Sequence, residues 1–524
     1  MKRSTQSPAR KTDSALVLDA EMPAPGKTQE GITANKHVLR RTLGVSDAVM
    51  LILSSVIGVG IFLTPKEIAV QVSNPYWFLF LWLVGGLVAL SGAMSSAALG
   101  TMLPRAGGDY VFLRTAYGPA WGFLYGYLCF VITFTGSIAA LAVGVVHYQG
   151  PTILKEFLPA GSGNVLGADL IHLPALGYDL RLEQIAAIVL VLLFTLVNHF
   201  GTKKSLKLQK VITMVPIVLL AIAGLMILYN LLIAGDGSKS LLARNFRNHD
   251  PLAIPPLSAA AMAMIPIFFT YTGWNAALYL GEDIKTPRKI IPRALMIGLA
   301  IVAAIYFLFC TVFLSTIPYE VLHDKSRDLD IASYAWGFLF GGTTQFIMAG
   351  LIAVLILGSL NSSIITGSRI FFAMGRDRIF FTQAGHVHPK HGTPSWSLWA
   401  QAAWTCVIIL VAGSFQKILQ YTTVAITLMS MVTISSLFVL RGRLKRVSAS
   451  GVRDRQRMLG YPFAPAFYII STGLILIGFL SYKPENVIKG IVGLGIIALG
   501  FLIYYVWRRT DSYIADRRGR NGSR

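Results

Sequence analysis

Residues 47–65 read DAVMLILSSVIGVGIFLTP. The stretch starts as an apolar helix of membrane character, is interrupted by Gly58-Val59-Gly60, resumes with Ile61-Phe62-Leu63 and stops at Pro65. Glycine is a poor helix residue and lets other groups approach the backbone closely. Inside a bilayer, backbone released from helix hydrogen bonds must find other partners or line a cavity. A first span broken by glycine therefore points to a binding site at mid-membrane depth. The half-helix after the break would aim amide donors at an anion such as a carboxylate. The plainer alternative is a glycine pair that lets helices pack closely.

The surrounding chain is a membrane chain. Of its 524 residues, 54% are hydrophobic and only 13% charged, against about 25% charged in soluble domains. Twelve segments contain no Asp, Glu, Lys or Arg: 48–65, 68–104, 115–154, 184–202, 211–235, 252–281, 294–319, 331–368, 392–416, 418–440, 458–482 and 490–507. Each can hold a helix of ~17–25 residues, enough to cross a bilayer. The fold class expected is an all-α polytopic membrane protein of twelve spans. The net charge of +22 could suit nucleic acid, but its distribution argues otherwise. With the N-terminus cytoplasmic, 35 of the 46 Lys and Arg fall on the cytoplasmic side and 11 outside, as the positive-inside rule requires. The excess charge thus reports orientation and contact with anionic lipid. Cys129, Cys310 and Cys406 all fall inside spans, so no disulfide framework is implied.

Residues 1–41 read as a disordered cytoplasmic tail. The second span is rich in small residues suited to close packing. PRAGGDYVFLRTAYGPAWGFLYGY, 104–127, reads as a cytoplasmic turn and an amphipathic approach to span three. Its Trp121, Phe123, Tyr125 and Tyr127 are placed at the membrane interface rather than on a pathway. Residues 148–181 form the longest outer loop, and span five carries Pro216. The sixth segment, AMAMIPIFFTYTGWNAALYLGEDIKTP (261–287), repeats the pattern of the first: Pro266 and Gly273 punctuate it around Thr270, Tyr271, Thr272 and Asn275. Interrupted helices at positions one and six point to a five-plus-five inverted repeat, with repeats at about 46–233 and 258–440. Packing glycines and a proline kink remain the alternative. Span seven reads as uniformly apolar. In the eighth segment Asn361, Ser362, Ser363 and Thr366 are unusually polar, and Arg369 is expected to snorkel at the cytoplasmic end. Residues 42–440 would form the core, 441–507 a basic loop with helices eleven and twelve, and 508–524 a cytoplasmic tail.

Five stretches, in order, resemble the amino acid–polyamine–organocation superfamily, close to its L-type amino acid transporters: SSVIGVGIF (54–62), ALGTMLPRAGGDYVFLRTAYGP (98–119), FFTYTGWNAALYLGEDIKTPRKIIPRA (268–294), GSLNSSIITGSRIFFAMGRD (358–377) and HPKHGTP (388–394). The resemblance implies the inverted-repeat fold, LeuT-like, with two added helices. It also implies a site for an amino acid backbone between broken helices one and six. The amides of Gly58, Val59 and Gly60 would receive the carboxylate. Ile57, Phe269, Thr270 and Tyr271 would offer carbonyls to the ammonium, with Ser55 beside them. Gly273 would break helix six, and Trp274 and Tyr271 would gate the side chain. Three departures stand out. Ser96-Ala97-Ala98 replaces the Tyr-Ala-Glu of many members; Pro216 stands where many carry a lysine; and Asn361 and Ser362 fall where sodium-coupled relatives place hydroxyl ligands, a candidate ion site.

The expected function is secondary transport of amino acids by alternating access in the plasma membrane, both termini cytoplasmic. No enzymatic chemistry, metal or cofactor is expected. Intramembrane Asp, Glu and Lys are nearly absent, which weakens both a carboxylate proton relay and an embedded enzyme. The absence of a carboxylate in the spans favours neutral substrates. A cationic amino acid or polyamine antiporter is the alternative, with Tyr271 or Trp274 stacking on the cation. A non-transporting amino acid sensor is the alternative of another class, and a channel is disfavoured by the apolar spans. Partners are the amino acid, membrane lipid and a coupling ion, sodium or proton.

Overall fold

The computed structural model describes residues 41–58, 60–157, 165–167, 169–173, 178–229, 238–325, 331–341, 345–412, 415–448, 458, 460–482 and 484–521. The expected N-terminal tail lies outside them, apart from Arg41. The described residues are helical apart from turns and one two-stranded ribbon. Among the described residues, eight helices are long and apolar enough to cross a membrane, and three shorter apolar helices, Val45–Val56, Leu257–Thr270 and Ser395–Val411, accompany them. The chain is thus a multi-pass helical membrane protein. Every one of the twelve uncharged segments contains helix.

The first uncharged segment is two helices. α1 (Val45–Val56) begins where the Gly44 amide donates to the Asp47 carboxylate at 2.8 Å. It ends at Ile57, whose backbone is extended. α2 (Gly60–Gln71) starts three residues later. α3 (Pro75–Met102) has a well-formed start: the Asn74 side chain accepts from the Tyr76 amide at 2.9 Å, and Pro75 occupies the first helical position, where its missing N–H costs nothing. α4 (Asp109–Tyr117) is the short helix after the paired glycines. Span three runs from Pro119 to Phe157 as α5 (Pro119–Leu128), α6 (Phe134–Gly144) and α7 (Gly150–Phe157), joined by π-helical turns at Cys129–Thr133 and Val145–Gln149.

The expected outer loop contains an antiparallel ribbon, β1 (Asp169–Leu173) with β2 (Tyr178–Arg181), pairing His172 with Asp179. It is followed by α8 (Leu182–His199), α9 (Thr202–Tyr229) and α10 (Ser238–Arg247). The second interrupted segment follows as α11 (Leu257–Thr270), a run of turns over Tyr271–Asn275, and the four-residue α12 (Ala276–Tyr279). Then come α13 (Pro287–Thr316), α14 (Tyr319–His323), α15 (Ile331–Phe340), α16 (Gln345–Arg376), α17 (Ser395–Ala412), α18 (Phe415–Ser448), α19 (Phe463–Tyr482) and α20 (Pro484–Asn521). α20 continues as helix past residue 507, through most of the stretch expected as a tail.

The breaks are held together by close approach. Gly273 has φ +105°, and a Cβ there would lie 2.4 Å from the Ser55 carbonyl oxygen. A Cβ on Gly60 would lie 2.8 Å from the Thr270 hydroxyl, and one on Gly58 3.0 Å from the Ser359 hydroxyl. Gly273 and Gly60 thus let the two interrupted segments approach closely, and Gly58 lets α16 approach the first break.

Side chains tie the remaining elements. Asn361 on α16 accepts from Asn198 of α8 at 2.7 Å and donates to Gln209 of α9 at 2.6 Å. Arg369 does not snorkel: it is 2% exposed and faces Asp283 at 3.5 Å. A guanidinium taken out of water needs such a partner. Arg376 forms a two-pronged pair with Glu282 at 2.9 and 2.7 Å, and Arg114 pairs with Asp377 at 2.5 Å.

Gly273→Ala combines a strained φ with a clash against main chain. It should destabilise the protein by about 1–3 kcal/mol, read as a lower unfolding temperature in detergent. Gly495→Ala, where nothing lies within 4 Å of the new Cβ, is the control and should show no loss.

Candidate functional site

A cavity of about 260 Å³ opens between the two interrupted helices. That is close to the lower end of small-molecule sites, ~300–1,000 Å³. Ser55, Gly58 and Gly60 line it from the first break; Phe269, Thr270, Gly273 and Trp274 line it from the second. Seven of the ten residues expected at the substrate site therefore meet around one space. Val59 lies outside the described residues. The Ile57 side chain is buried away from the cavity, at 1% exposure. Tyr271 also turns away, its ring 5.0 Å from that of Tyr306 and 6.0 Å from that of Trp82. Trp274 does line the cavity, and it meets Tyr468 edge-on at 6.4 Å.

Each break leaves main-chain groups that need partners. The amides of the first turn of α2 have no acceptors within the helix, and they start at the cavity wall. The carbonyls are partly used. The Phe269 carbonyl accepts the Thr272 amide at 3.0 Å and the Thr272 hydroxyl at 2.6 Å. The fully buried Tyr306 hydroxyl lies 2.8 Å from the Val56 carbonyl and 3.0 Å from the Thr270 carbonyl, one donor joining both breaks. The Ser359 hydroxyl lies 2.7 Å from the Ser54 carbonyl and 3.2 Å from the Ile57 carbonyl. A carbonyl has two acceptor positions, so the Ile57 and Thr270 oxygens keep one for an ammonium, while both positions of the Phe269 oxygen are taken by Thr272.

Tyr306 and Ser359 went unnoticed in the sequence. Span seven is mostly apolar, and its Tyr306 hydroxyl matters because of where it lands. Ser359 precedes the polar group that drew attention. That group divides in the structure. The Asn361 side chain is engaged with Asn198, Ser205 and Gln209 and does not line the cavity. Ser362 contacts the Ser55 hydroxyl, while Ser363 and Thr366 line the cavity wall. The two residues of the candidate ion site thus have separate surroundings.

The other end of the cavity holds a group the spans did not reveal. Asp109 begins α4 and is 5% exposed. Gly107 and Gly108, both at positive φ, bring it in: a Cβ on Gly107 would lie 2.7 Å from Ala373, and one on Gly108 2.6 Å from the Tyr279 ring. The approach to span three therefore folds beneath the cavity. With it comes Tyr125, which faces the cavity and not the membrane interface. Burial raises the Asp109 carboxyl above its ordinary value, against hydrogen bonds from Tyr279, Asn275 and Tyr125 that lower it. An acidic residue beside paired glycines, in a chain with so few acids, was the available signal.

Among the described residues, one cluster has the spacing of metal ligands: His199, His388 and His391, with nitrogens within 4.8 Å of one another. None of them lines the cavity. His388 Nδ1 accepts the amides of Lys390 and His391, and His199 Nδ1 the Trp399 indole, each at 3.3 Å. The Thr393 hydroxyl donates to the His199 carbonyl at 3.0 Å, which fastens the HPKHGTP loop to the end of α8.

Residues 43–507 match the amino acid permease family. The chain belongs to that family. The serine/threonine exchanger SteT of Bacillus subtilis (strain 168) is 27% identical over 455 residues, covering 84% of this chain and 91% of that protein. Human large neutral amino acids transporter small subunit 2 is 27% identical over 490 residues, covering 91% and 83%. The mouse Asc-type amino acid transporter 1 is 24% identical over 485 residues, covering 91% and 83%. This permease is a secondary transporter that moves amino acids across a membrane, and not an enzyme.

Tyr306→Phe removes the donor shared by the permease's two breaks and leaves the Val56 and Thr270 carbonyls unpaired. A buried acceptor without a partner costs about 1–3 kcal/mol. The variant should unfold at lower temperature, and amino acid uptake by reconstituted protein should fall with it.

Proposed function

We propose that this permease exchanges amino acids, neutral ones in preference, by rocking one group of helices against the other around the central cavity. The observation that carries the reading is that both interruptions open onto the same space. A zwitterion suits it: amide donors at the start of α2 would face its carboxylate, and the carbonyls of Ile57 and Thr270 its ammonium, with that of Phe269 joining them once Thr272 releases it. The proposed site comprises Ser55, Ile57, Gly58, Val59, Gly60, Phe269, Thr270, Tyr271, Gly273 and Trp274, with Ile57 and Tyr271 contributing main-chain atoms. The relatives named for serine and threonine exchange and for large neutral amino acids support both the exchange mode and the neutral preference.

In the same reading the chain crosses the plasma membrane twelve times with both termini cytoplasmic. Its core is a five-plus-five inverted repeat at about 46–233 and 258–440. The charge distribution along the loops supports this orientation. Asn361 and Ser362 would carry a sodium site only if Asn361 left its present partners.

A cationic substrate is the second reading. Asp109 favours it, since a carboxyl in the cavity could meet a guanidinium or ammonium side chain. Competition decides: labelled serine or leucine taken up by proteoliposomes should be displaced by unlabelled neutral amino acids and not by arginine. Counterflow should appear only with amino acid inside the vesicle. Displacement by arginine alone would favour the second reading.

Gly60→Val places a side chain against Thr270 and in the carboxylate's approach. The variant should insert into membranes and fail to bind substrate. Unchanged substrate affinity would remove the proposed site.

A further inference from the structure

Asp109 Oδ2, the Tyr125 hydroxyl and the Tyr279 hydroxyl form a triangle. Its edges are 2.9 Å from Tyr125 to Asp109, 2.7 Å from Tyr279 to Asp109 and 2.5 Å from Tyr125 to Tyr279. All three edges have hydrogen-bond length. Two phenols supply two hydrogens. Asn275 does not help, because its amide spends its hydrogens on Asp109 at 2.9 Å and Tyr279 at 2.7 Å from outside the triangle. Sharing one phenol hydrogen between two edges would bend both bonds. A hydrogen on the carboxyl gives every edge its own donor.

The other carboxyl oxygen points the same way. Asp109 Oδ1 is buried at the cavity with no hydrogen-bond partner. An unpaired oxygen of a charged carboxylate is far costlier there than the carbonyl oxygen of a neutral acid. The titratable groups around Asp109 are Tyr125 and Cys129 of span three, Tyr279 of α12 and Tyr468 of α19. All are neutral at physiological pH. Among the described residues no Lys, Arg or His interacts with Asp109 to offset its charge. The triangle joins three elements: the turn helix α4, span three and the piece of helix six beyond its break. Movement of helix six relative to the others would take it apart.

We propose that Asp109 is a proton carrier, holding a proton while the triangle is closed and releasing it when the cavity opens toward the cytoplasm. This rests on the amino acid transport reading and adds to it that transport is coupled to a proton. In the release step the carboxyl O–H bond breaks and the proton passes to water entering the cavity. The carboxylate left behind is then solvated. No oxidation or reduction is involved. A neutral Asp109 offers no countercharge to a cationic side chain, which is consistent with neutral substrates.

Two measurements test it. Infrared difference spectra of purified protein in lipid at neutral pH, wild type minus Asp109→Asn, should contain the carbonyl stretch of a protonated carboxylic acid. Bands of an ionised carboxylate in its place would overturn the proposal whether or not transport is seen. In proteoliposomes an inwardly directed proton gradient should increase wild-type accumulation of a neutral amino acid several-fold. Asp109→Asn should lose the response and Asp109→Glu should keep it. A wild type indifferent to the gradient, or an Asp109→Asn that responds as wild type does, would overturn the coupling. Selective loss of arginine or lysine binding in Asp109→Asn would also overturn it, by making the residue a substrate countercharge. Wild-type counterflow separates the two levels: its absence would sink the transport reading and the coupling with it, while the infrared band still decides the protonation.

Discussion

A helix that stops inside a bilayer leaves main-chain donors and acceptors where no water can reach them. This constraint governs the centre of the molecule. Two helices stop there, and their open groups are answered from three directions. Tyr306 brings one hydroxyl to carbonyls of both breaks. Ser359 reaches two carbonyls of the first. Thr272 folds back on Phe269 within the second. The start of α2, whose amides the helix itself cannot satisfy, borders the cavity. In the proposed reading a zwitterion completes the accounting, so the centre needs no ionised side chain of its own to be selective.

The polar residues of the spans accordingly fall into two sets. One faces the cavity from broken or glycine-rich backbone. The other sits between intact helices and fastens them, as Asn198, Asn361 and Gln209 do across α8, α9 and α16. Buried amide chains of this kind stabilise one arrangement when every member is paired. On the loop side, Arg369 with Asp283 and Arg376 with Glu282 link α16 to the segment just after helix six. An exchange mechanism that rocks helix groups needs rigid groups and separable contacts, and the Asp109–Tyr125–Tyr279 triangle is of the separable sort because its members come from different elements.

Much of this was legible in the chain. The uncharged segments mark the helices because a span tolerates few charges. Gly58/Gly60 and Gly273 mark both interruptions because backbone rules allow few residues there, whereas Pro266 stays inside α11. Other side chains sit where residue type alone did not place them, for a common reason. Tyr271 looked like a gate, Arg369 like a snorkelling end, Tyr125 like an interface aromatic, and Asn361 like an ion ligand. Each is a polar side chain whose partner lies far along the sequence: Trp82, Asp283, Tyr279 and Asn198, respectively. Residue type says that a partner is needed and does not say which one.

The sequence by itself determined a membrane-spanning helical chain, the places where two helices break, and the family in which such breaks recur. Those features follow from local rules: hydrophobicity over a span, and the freedom of glycine and the missing donor of proline. Only the tertiary structure decided which groups answer the breaks, which polar residues are fasteners, and that an aspartate from a loop ends beside the cavity. These depend on how helices distant in sequence are brought within 3 Å of each other, and hydrogen bonds of that length carry no trace in the order of residues.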